Sequence, residues 1–565
     1  MTEDVFADDL RDGPLPFWRR HAEWLAAGAV FVLTALLTVL AFPPFDAPEC
    51  AYVLVAPAAL WAYRRPSWKM FSLTVLGANA LAWIIVLGWL RHVTWGGLLM
   101  LGPFIGGWAG LWFLAARWTL PRLPGRVWPV RVLAVLALAG LWAVNEWGRT
   151  WLLSGFPWLP LAASQWQRTA VLQVAAFTGA GGVSFVLVAV GLGLAAWAHR
   201  LWFEGVRGLA RRSPEFLAAI FLLVVCLTVH VREAMNRAQF AVPLARVAFA
   251  QPNIPQELKW DNAMADDILR TLETVTRDAA AMRPGLVLWP EATLPLPLNA
   301  HAEMRARVEK LARETGAPLV LGSLAVETEP GENGELRVRS WLNAAFVVDP
   351  TAGTQERIYA KRKLVPFGEY VPLRLLLGWI EKIVPVGGDV TPGDSAEPLS
   401  VRTAGVDSRP LALGELICYE DIFPALARAS ALGGADALVV HTNGAWYGEE
   451  GMAAQHAAHS VLRAVETRRP VLRDGNAGWS GWIDEFGVTR AVLTRDTGGQ
   501  ISTAPSVVGS VYFRGAAAAD VTRDSRWIGR QSFYAEHGDW FVAVCAGLAC
   551  AGWLALRRVP LTPAR

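Results

Sequence analysis

Cys418, Glu291 and Lys361 are the residues of this chain whose types and settings suit covalent chemistry. Cys418 ends the apolar run Leu413-Gly414-Glu415-Leu416-Ile417 and is followed at once by Tyr419-Glu420-Asp421, while Trp289-Pro290-Glu291 and Lys361 lie upstream. An ordinary thiol, with a pKa of about 8.5, is only slightly ionised at neutral pH, so its attack on an ester carbonyl calls for a positioned base. The oxyanion that then develops calls for a fixed cation or N–H donor. Glu, Lys and Cys in this order fit thiol acyl transfer. The other four cysteines fit no such role: Cys226, Cys545 and Cys550 sit in apolar runs, Cys50 follows Pro48-Glu49, and the five together make no C-x-x-C pair and no zinc spacing.

A site of this kind needs a scaffold, and the composition calls for two. The chain has 565 residues, 53% hydrophobic and only 18% charged, which is too apolar for an ordinary soluble enzyme and long enough for a membrane part plus one sizeable outer domain. A net charge of +3 from 52 basic and 49 acidic residues gives no footprint for nucleic acid, and no nucleic-acid partner is expected.

Apolar runs at 23–42, 50–64, 69–90, 96–117, 128–147, 170–198, 215–231 and 539–556 predict about eight membrane spans. About 20 helical residues cross the ~30 Å hydrocarbon layer, so the run at 50–64 is the shortest candidate. The first run is too long for a signal-peptide core and is expected to stay as an anchor. With the N-terminus inside, the inner segments hold seventeen Arg and Lys against five in the opposite short loops. Both termini are therefore expected in the cytoplasm and the region from about 240 to 535 on the far side. The 28 tryptophans against 8 tyrosines, many at span ends, suit an interfacial belt. The expected domains are a membrane domain at 1–239, a catalytic domain at 240–535, and a final span with its tail at 536–565.

At the outer end of the fifth span, Glu146-Trp147-Gly148-Arg149 leads into Ser154-Gly155-Phe156-Pro157-Trp158. Glu146 and Arg149 share one helical face, which reads either as a structural ion pair or as a mouth that orients a phospholipid head group. Beyond residue 240 the pattern changes to short apolar strands, predicted at 246–250, 285–289, 318–322, 344–348, 411–417, 437–441 and 507–513. Between them helices are predicted at 264–281, 302–315 and 452–467. Strands alternating with helices predict a layered α/β domain whose sheets are covered on both faces.

Several motifs together resemble the nitrilase superfamily and, within it, the membrane-integrated apolipoprotein N-acyltransferase family. They are Gln251-Pro252-Asn253-Ile254-Pro255-Gln256 with Lys259-Trp260, Trp289-Pro290-Glu291, Tyr359-Ala360-Lys361-Arg362-Lys363-Leu364-Val365-Pro366-Phe367-Gly368-Glu369, and Ile417-Cys418-Tyr419-Glu420. The Glu-Trp-x-Arg and Gly-Phe-Pro-Trp elements and the final span extend the likeness over nearly the whole chain. The resemblance implies an α-β-β-α sandwich on about eight transmembrane helices. It also implies an acyl chain carried from a membrane phospholipid through a Cys418 thioester to the α-amine of a diacylglyceryl-cysteine on an apolipoprotein.

In that frame Glu291 is the base, and Lys361, with the N–H of Tyr419, stabilises the oxyanion. Register selects Lys361 over Lys363, where similar proteins commonly carry histidine. The resemblance further implies supporting roles for Glu369, Tyr419 and Glu420, with Trp260 as a lid or as packing, and Glu146 and Arg149 on the substrate side. No phosphate-binding glycine loop appears, and His456 and His459, spaced i, i+3, lack a third ligand and are expected to pack; no cofactor or metal is expected. A monomer is expected.

Two stretches depart from similar proteins: Gly444 stands where they usually have Asp, and Asp474-Gly475-Asn476-Ala477-Gly478-Trp479 replaces an Ala-Thr-Asn-Thr-Gly pattern. Two other readings stay open, a membrane-anchored nitrilase-like amidase and a lipid carrier without catalysis.

Overall fold

The computed structural model describes residues 21–204, 212–259, 261–330, 335–371, 374, 390–403 and 409–559. Among these, six helices are long and apolar enough to cross a membrane: Ala22–Ala41, Trp68–Val86, Trp95–Thr119, Trp128–Gly148, Ala180–Phe203 and Pro214–Glu233.

The run expected as one span at 50–64 is broken. It folds as a turn of 3-10 helix, Pro48–Tyr52, and an 8-residue helix, Ala56–Tyr63. Such a helix is ~12 Å long and cannot cross alone. Pro57, in its first turn, has no N–H to continue a helix from Tyr52, and Val53 takes a non-helical φ of −123°. The broken segment nonetheless packs along its neighbour Ala180–Phe203, from Gly191 to His199. Its start is fixed where Pro48 O accepts a hydrogen bond from Gln165 Nε2 (2.8 Å), and its end where Tyr63 stacks on His199 at 4.3 Å. Midway, a Cβ on Gly191 would lie 2.5 Å from the Val55 side chain.

The expected span at 170–198 also starts late. Two single-turn helices, Thr169–Leu172 and Ala175–Thr178, precede Gly179, whose φ of +68° redirects the chain before the long helix begins at Ala180. The last apolar helix, Trp540–Leu556, lies against Trp128–Gly148 through small residues: a Cβ on Gly140 would sit 2.9 Å from Cys545 O. Close backbone approach of this kind replaces the hydrophobic effect as the packing force inside a bilayer. Counting the broken segment, eight segments run along the bundle among the described residues.

The outer domain has two facing sheets. The first runs in the order β15-β1-β2-β3-β4-β5, with β6 also on β4; its strands are β1 Ala241–Gln251, β2 Leu286–Trp289, β3 Leu319–Pro330, β4 Leu336–Asp349, β5 Gly353–Thr354, β6 Tyr359–Ala360 and β15 Gly515–Asp524. The second runs β12-β11-β10-β9-β8-β7, from β7 Leu399–Val401, β8 Leu411–Ile417, β9 Ala437–Thr442, β10 Val471–Gly475, β11 Gly481–Ile483 and β12 Thr489–Val492, while β13 Thr494–Arg495 and β14 Ile501–Ser502 pair separately. β1, β2 and β3 are parallel neighbours, as are β8, β9 and β10. Val247, Phe249, Leu288 and Val347 of one sheet meet Leu413, Ile417, Val439 and Leu472 of the other in a single apolar layer. Helices Ala265–Ala281 and Ala302–Thr315 cover the first sheet. Helices Pro424–Leu432 and Met452–Thr467 cover the second, completing the α-β-β-α sandwich.

The strand expected at 507–513 is a loop with one isolated bridge at Ser510; the strand is β15, ten residues from Gly515. Its Gly-Ala-Ala-Ala-Ala start lacks β-branched residues, so it carries no strand signature. Small side chains suit it because β15 packs Ala516 and Ala518 beside helix Ala265–Ala281.

Met452–Thr467 is buried along its length between the second sheet and the membrane helices, and its apolar core is continuous with theirs. Gln455 knots the two parts together. Its Oε1 accepts from Trp89 Nε1 and Trp158 Nε1 (both 2.9 Å), and its Nε2 donates to Pro43 O (2.9 Å) and Val86 O (2.8 Å). Four groups on three chain segments at one end of the bundle are thereby satisfied by one buried amide, which fixes which end carries the sandwich.

Candidate active site

Cys418 sits at the end of β8 with φ +52°, a left-handed conformation that non-glycine residues adopt at a cost of order 1–3 kcal/mol. The bend turns the chain from strand into the short helix Cys418–Ile422 and sets the thiol beside the Glu291 carboxylate. Glu291 follows β2. Gly322 of β3 lets it lie close, since a Cβ there would come within 2.7 Å of Glu291 Cα.

Lys361 follows β6, its N–H bonded to Asn343 O and its carbonyl to Gly393 N (both 2.8 Å). Its ammonium donates to Glu291 Oε1 (3.2 Å) and Glu369 Oε1 (3.0 Å). Asn343 bridges the same two carboxylates from Nδ2, at 2.9 and 3.1 Å, and Glu369 Oε2 accepts from Val365 N (2.8 Å). Lys363, the other candidate cation, lies elsewhere, with its ammonium 5.0 Å from the centre of the Phe423 ring.

The electrostatics follow from burial and these contacts. Burial resists ionisation of Glu291, but the Lys361 and Lys259 ammoniums and the bonds from Asn343 and Cys418 outweigh it, holding this carboxyl below the usual range. Burial and the adjacent Glu291 charge push the Cys418 thiol well above its usual value. Burial opposes the Lys361 charge, but Glu369 and Glu291 hold its ammonium firmly protonated. The resting pair is thus a neutral thiol beside an ionised carboxylate, the protonation states a general base and its thiol need before attack.

Glu420 is buried and acts as a clasp. Its Oε1 accepts from the N–H groups of Arg362 (2.6 Å) and Lys363 (3.0 Å), and its Oε2 from the Tyr359 hydroxyl and Ile417 N–H (both 2.7 Å). One carboxylate therefore locks the Lys361 segment to the Cys418 strand. Tyr419 faces the membrane part: its hydroxyl donates to Gly155 O at 2.9 Å, and its ring lies 6.2 Å from Phe156 and 5.1 Å from Phe423.

Glu146 and Arg149 both fasten the loop that carries Gly155. Glu146 Oε1 accepts from Trp142 Nε1 (2.8 Å) and Leu161 N (2.7 Å), while Arg149 Nη2 donates to Trp158 O. They line a cavity of about 30 Å3 with Asn79 and Asn145, room for water rather than for a head group. Trp260 lies outside the described residues.

Several residues had no assigned role in the sequence. Lys259 is buried, donates to Glu291 O (3.0 Å), and burial pushes its ammonium down to about 8 despite Glu291 and Cys418 nearby. Its place in the Lys259-Trp260 motif was the only signal. Asp421 accepts from His456 Nε2 (2.7 Å), Ser460 Oγ (2.6 Å) and Arg473 Nη1 (2.8 Å), and His459 Nε2 accepts from Leu159 N (3.1 Å), so both histidines serve packing networks behind Cys418. Asn476 holds the Gln251–Lys259 segment through Ile254 N (2.9 Å) and Ile254 O (2.7 Å). The two departures touch: a Cβ on Gly444 would sit 2.3 Å from Ala477 O, so an aspartate does not fit this loop as it stands.

A buried Glu, Lys and Cys on strand ends of such a sandwich define the class, and residues 246–511 match the carbon-nitrogen hydrolase family. Residues 34–193 match the N-terminal domain of apolipoprotein N-acyltransferase. The chain is 32% identical to the apolipoprotein N-acyltransferase of Geobacter metallireducens, covering 93% of this chain and 95% of that one. It is 31% identical to the enzyme of that name from Methylococcus capsulatus, over 91% and 93%. A crystal structure of an amidase from Nesterenkonia sp. aligns at 19% identity over 50% of this chain and 92% of that one, with a TM-score of 0.34. The chain belongs to the apolipoprotein N-acyltransferase family. It is a membrane-associated acyltransferase of lipoprotein maturation.

Proposed function

We propose that Cys418 takes an acyl chain from a membrane phospholipid and passes it to the α-amine of the S-diacylglyceryl-cysteine of an apolipoprotein. In the first half-reaction Glu291 accepts the thiol proton as Sγ bonds the ester carbonyl carbon; the ester C–O bond then breaks and Glu291 returns the proton to the departing lysophospholipid oxygen. In the second, the amine nitrogen attacks the thioester, the C–S bond breaks, and the amine proton passes through Glu291 to restore the thiol. Lys361 neutralises the oxyanion in both, a type of contribution worth ~3 kcal/mol of barrier per donor. Glu369 holds Lys361, Glu420 keeps the two catalytic segments in register, and Glu146 and Arg149 contribute to substrate binding through the loop they fasten.

The observation that carries this reading is the Tyr419 contact with Gly155, which places the residue next to the nucleophile inside the apolar cluster shared with the membrane helices. An acyl chain from the bilayer would approach the thiol along this apolar cluster. We assign residues 1–239 to the membrane domain, 240–535 to the catalytic domain and 536–565 to the final span. The chain is assigned to the bacterial inner membrane, working as a monomer, with the catalytic domain outside and both termini in the cytoplasm. The arginine asymmetry supports this orientation, as does the sandwich lying at the bundle end opposite Ala22.

The test is transfer from a phospholipid to a synthetic diacylglyceryl-cysteine peptide. The expected product is the N-acyl amide with one lysophospholipid released per transfer. Release of free fatty acid with no amide, in the presence of peptide, would instead make the chain a hydrolase.

A further inference from the structure

Lys363 is left over by this chemistry. Its backbone N–H is held by Glu420, yet its half-buried ammonium forms no ion pair among the described residues, in contrast to Lys361, which has two carboxylates. Burial pushes the Lys363 ammonium down with no carboxylate among the described residues offsetting it. A cation kept partly out of water in this state gains most from an anion brought by a ligand.

Its surroundings say where that ligand lies. Lys363 Nζ is 5.0 Å from the Phe423 ring centre, and Phe423 packs edge-on to Tyr419, the residue after the nucleophile. On its other side Phe423 approaches the membrane loop so closely that a Cβ on Gly155 would meet its ring at 3.2 Å. That loop presents Trp151, Leu152 and Leu153 outward, Leu153 being 74% exposed. An apolar path of touching side chains thus runs from the exposed lip through Phe156, Tyr419 and Phe423, with the Lys363 cation beside Phe423.

We propose that Lys363 binds the phosphodiester of the glycerophospholipid that donates the acyl chain, with the Phe423 ring as the floor of the site. The proposal rests on the donor being a phospholipid, as put forward above. In such a donor only the glycerol unit separates the ester from the phosphate, so an ester presented to Cys418 leaves the phosphate at the edge of the apolar path. The cation on that edge then fixes which end of the lipid faces out.

The experiment compares wild type, K363Q and K363R in neutral detergent, which removes any bilayer surface charge. Thioester formation is followed with phosphatidylglycerol and with p-nitrophenyl palmitate, an ester without phosphate. For K363Q, kcat/KM with phosphatidylglycerol is expected to fall about tenfold, mainly through KM, while p-nitrophenyl palmitate reacts as with wild type. K363R, which keeps the charge, restores the phospholipid rate. Equal losses on both esters, or none on either, would overturn the proposal. Transfer from preformed thioester to the peptide amine is expected to be unchanged in K363Q; a loss there alone would place the cation on the acceptor side and also overturn it. Wild type that reacts with the p-nitrophenyl ester but not with phosphatidylglycerol would instead remove the phospholipid donor itself.

Discussion

The Tyr419 hydroxyl donates to the Gly155 carbonyl at 2.9 Å, so the residue beside Cys418 is bonded directly to a loop of the membrane bundle. Y419F removes this bond while leaving the thiol, its base and its cation in place. A neutral hydrogen bond of this kind is worth about 1 kcal/mol, so thioester formation from phospholipid is expected to slow about fivefold. Stopped-flow acylation with p-nitrophenyl palmitate, which needs no membrane loop, is expected to change less.

Glu420 satisfies four donors at once, three of them on the segment that carries Lys361. In E420Q one oxygen becomes an NH2 group facing N–H or O–H donors, leaving buried donors unsatisfied. A loss of about 2–4 kcal/mol of stability is expected, together with at least a hundredfold loss of thioester formation as Lys361 shifts. Thermal unfolding and acylation rates measured on the same sample check both.

Lys259 gives the site an alkaline limit. Its ammonium is lowered from 10.5 to about 8, so it loses its charge beside Glu291 and Cys418 as pH rises through 8. The folded chain holds this proton less tightly than the unfolded chain, so its contribution to stability rises between pH 8 and 10.5. The expected result is a fall in kcat/KM above about pH 8 with no fall in the unfolding temperature from this group. K259R, charged throughout, is expected to move the limb upward in a pH–rate profile.

Gly444 and Ala477 are two departures that make a single feature. A Cβ at position 444 would lie only 2.3 Å from Ala477 O, so G444D alone is expected to destabilise the sandwich by about 1–3 kcal/mol. Replacing residues 474–478 with Ala-Thr-Asn-Thr-Gly in the same chain is expected to recover part of that loss, read as the unfolding temperature.

Much of this architecture is legible in the sequence where one residue type has one use. The helices at 302–315 and 452–467 match their expected bounds because their apolar spacing is helical throughout. Glu291, Lys361 and Cys418 stand out because each ends or follows a strand inside its own motif, and the chain brings all three together. What the sequence hides is set by tertiary contact. The alanine-rich β15 is a strand because it pairs along β1 under a covering helix, and the segment at 48–63, broken at Pro57, finds its place where Gly191 of the neighbouring helix makes room. Lys259 and Asn343 read as ordinary polar residues until folding buries them against Glu291.

The central claim is that Cys418 carries the acyl chain with Glu291 as its base. The most direct measurement is intact-protein mass after incubation with a phospholipid and no acceptor, followed by peptide mapping, for wild type, C418A and E291Q. A hydroxylamine-labile acyl adduct on Cys418 is predicted for wild type, none for C418A, and formation at least a hundredfold slower for E291Q. An adduct that persists in C418A, or that maps to another residue, would contradict the account.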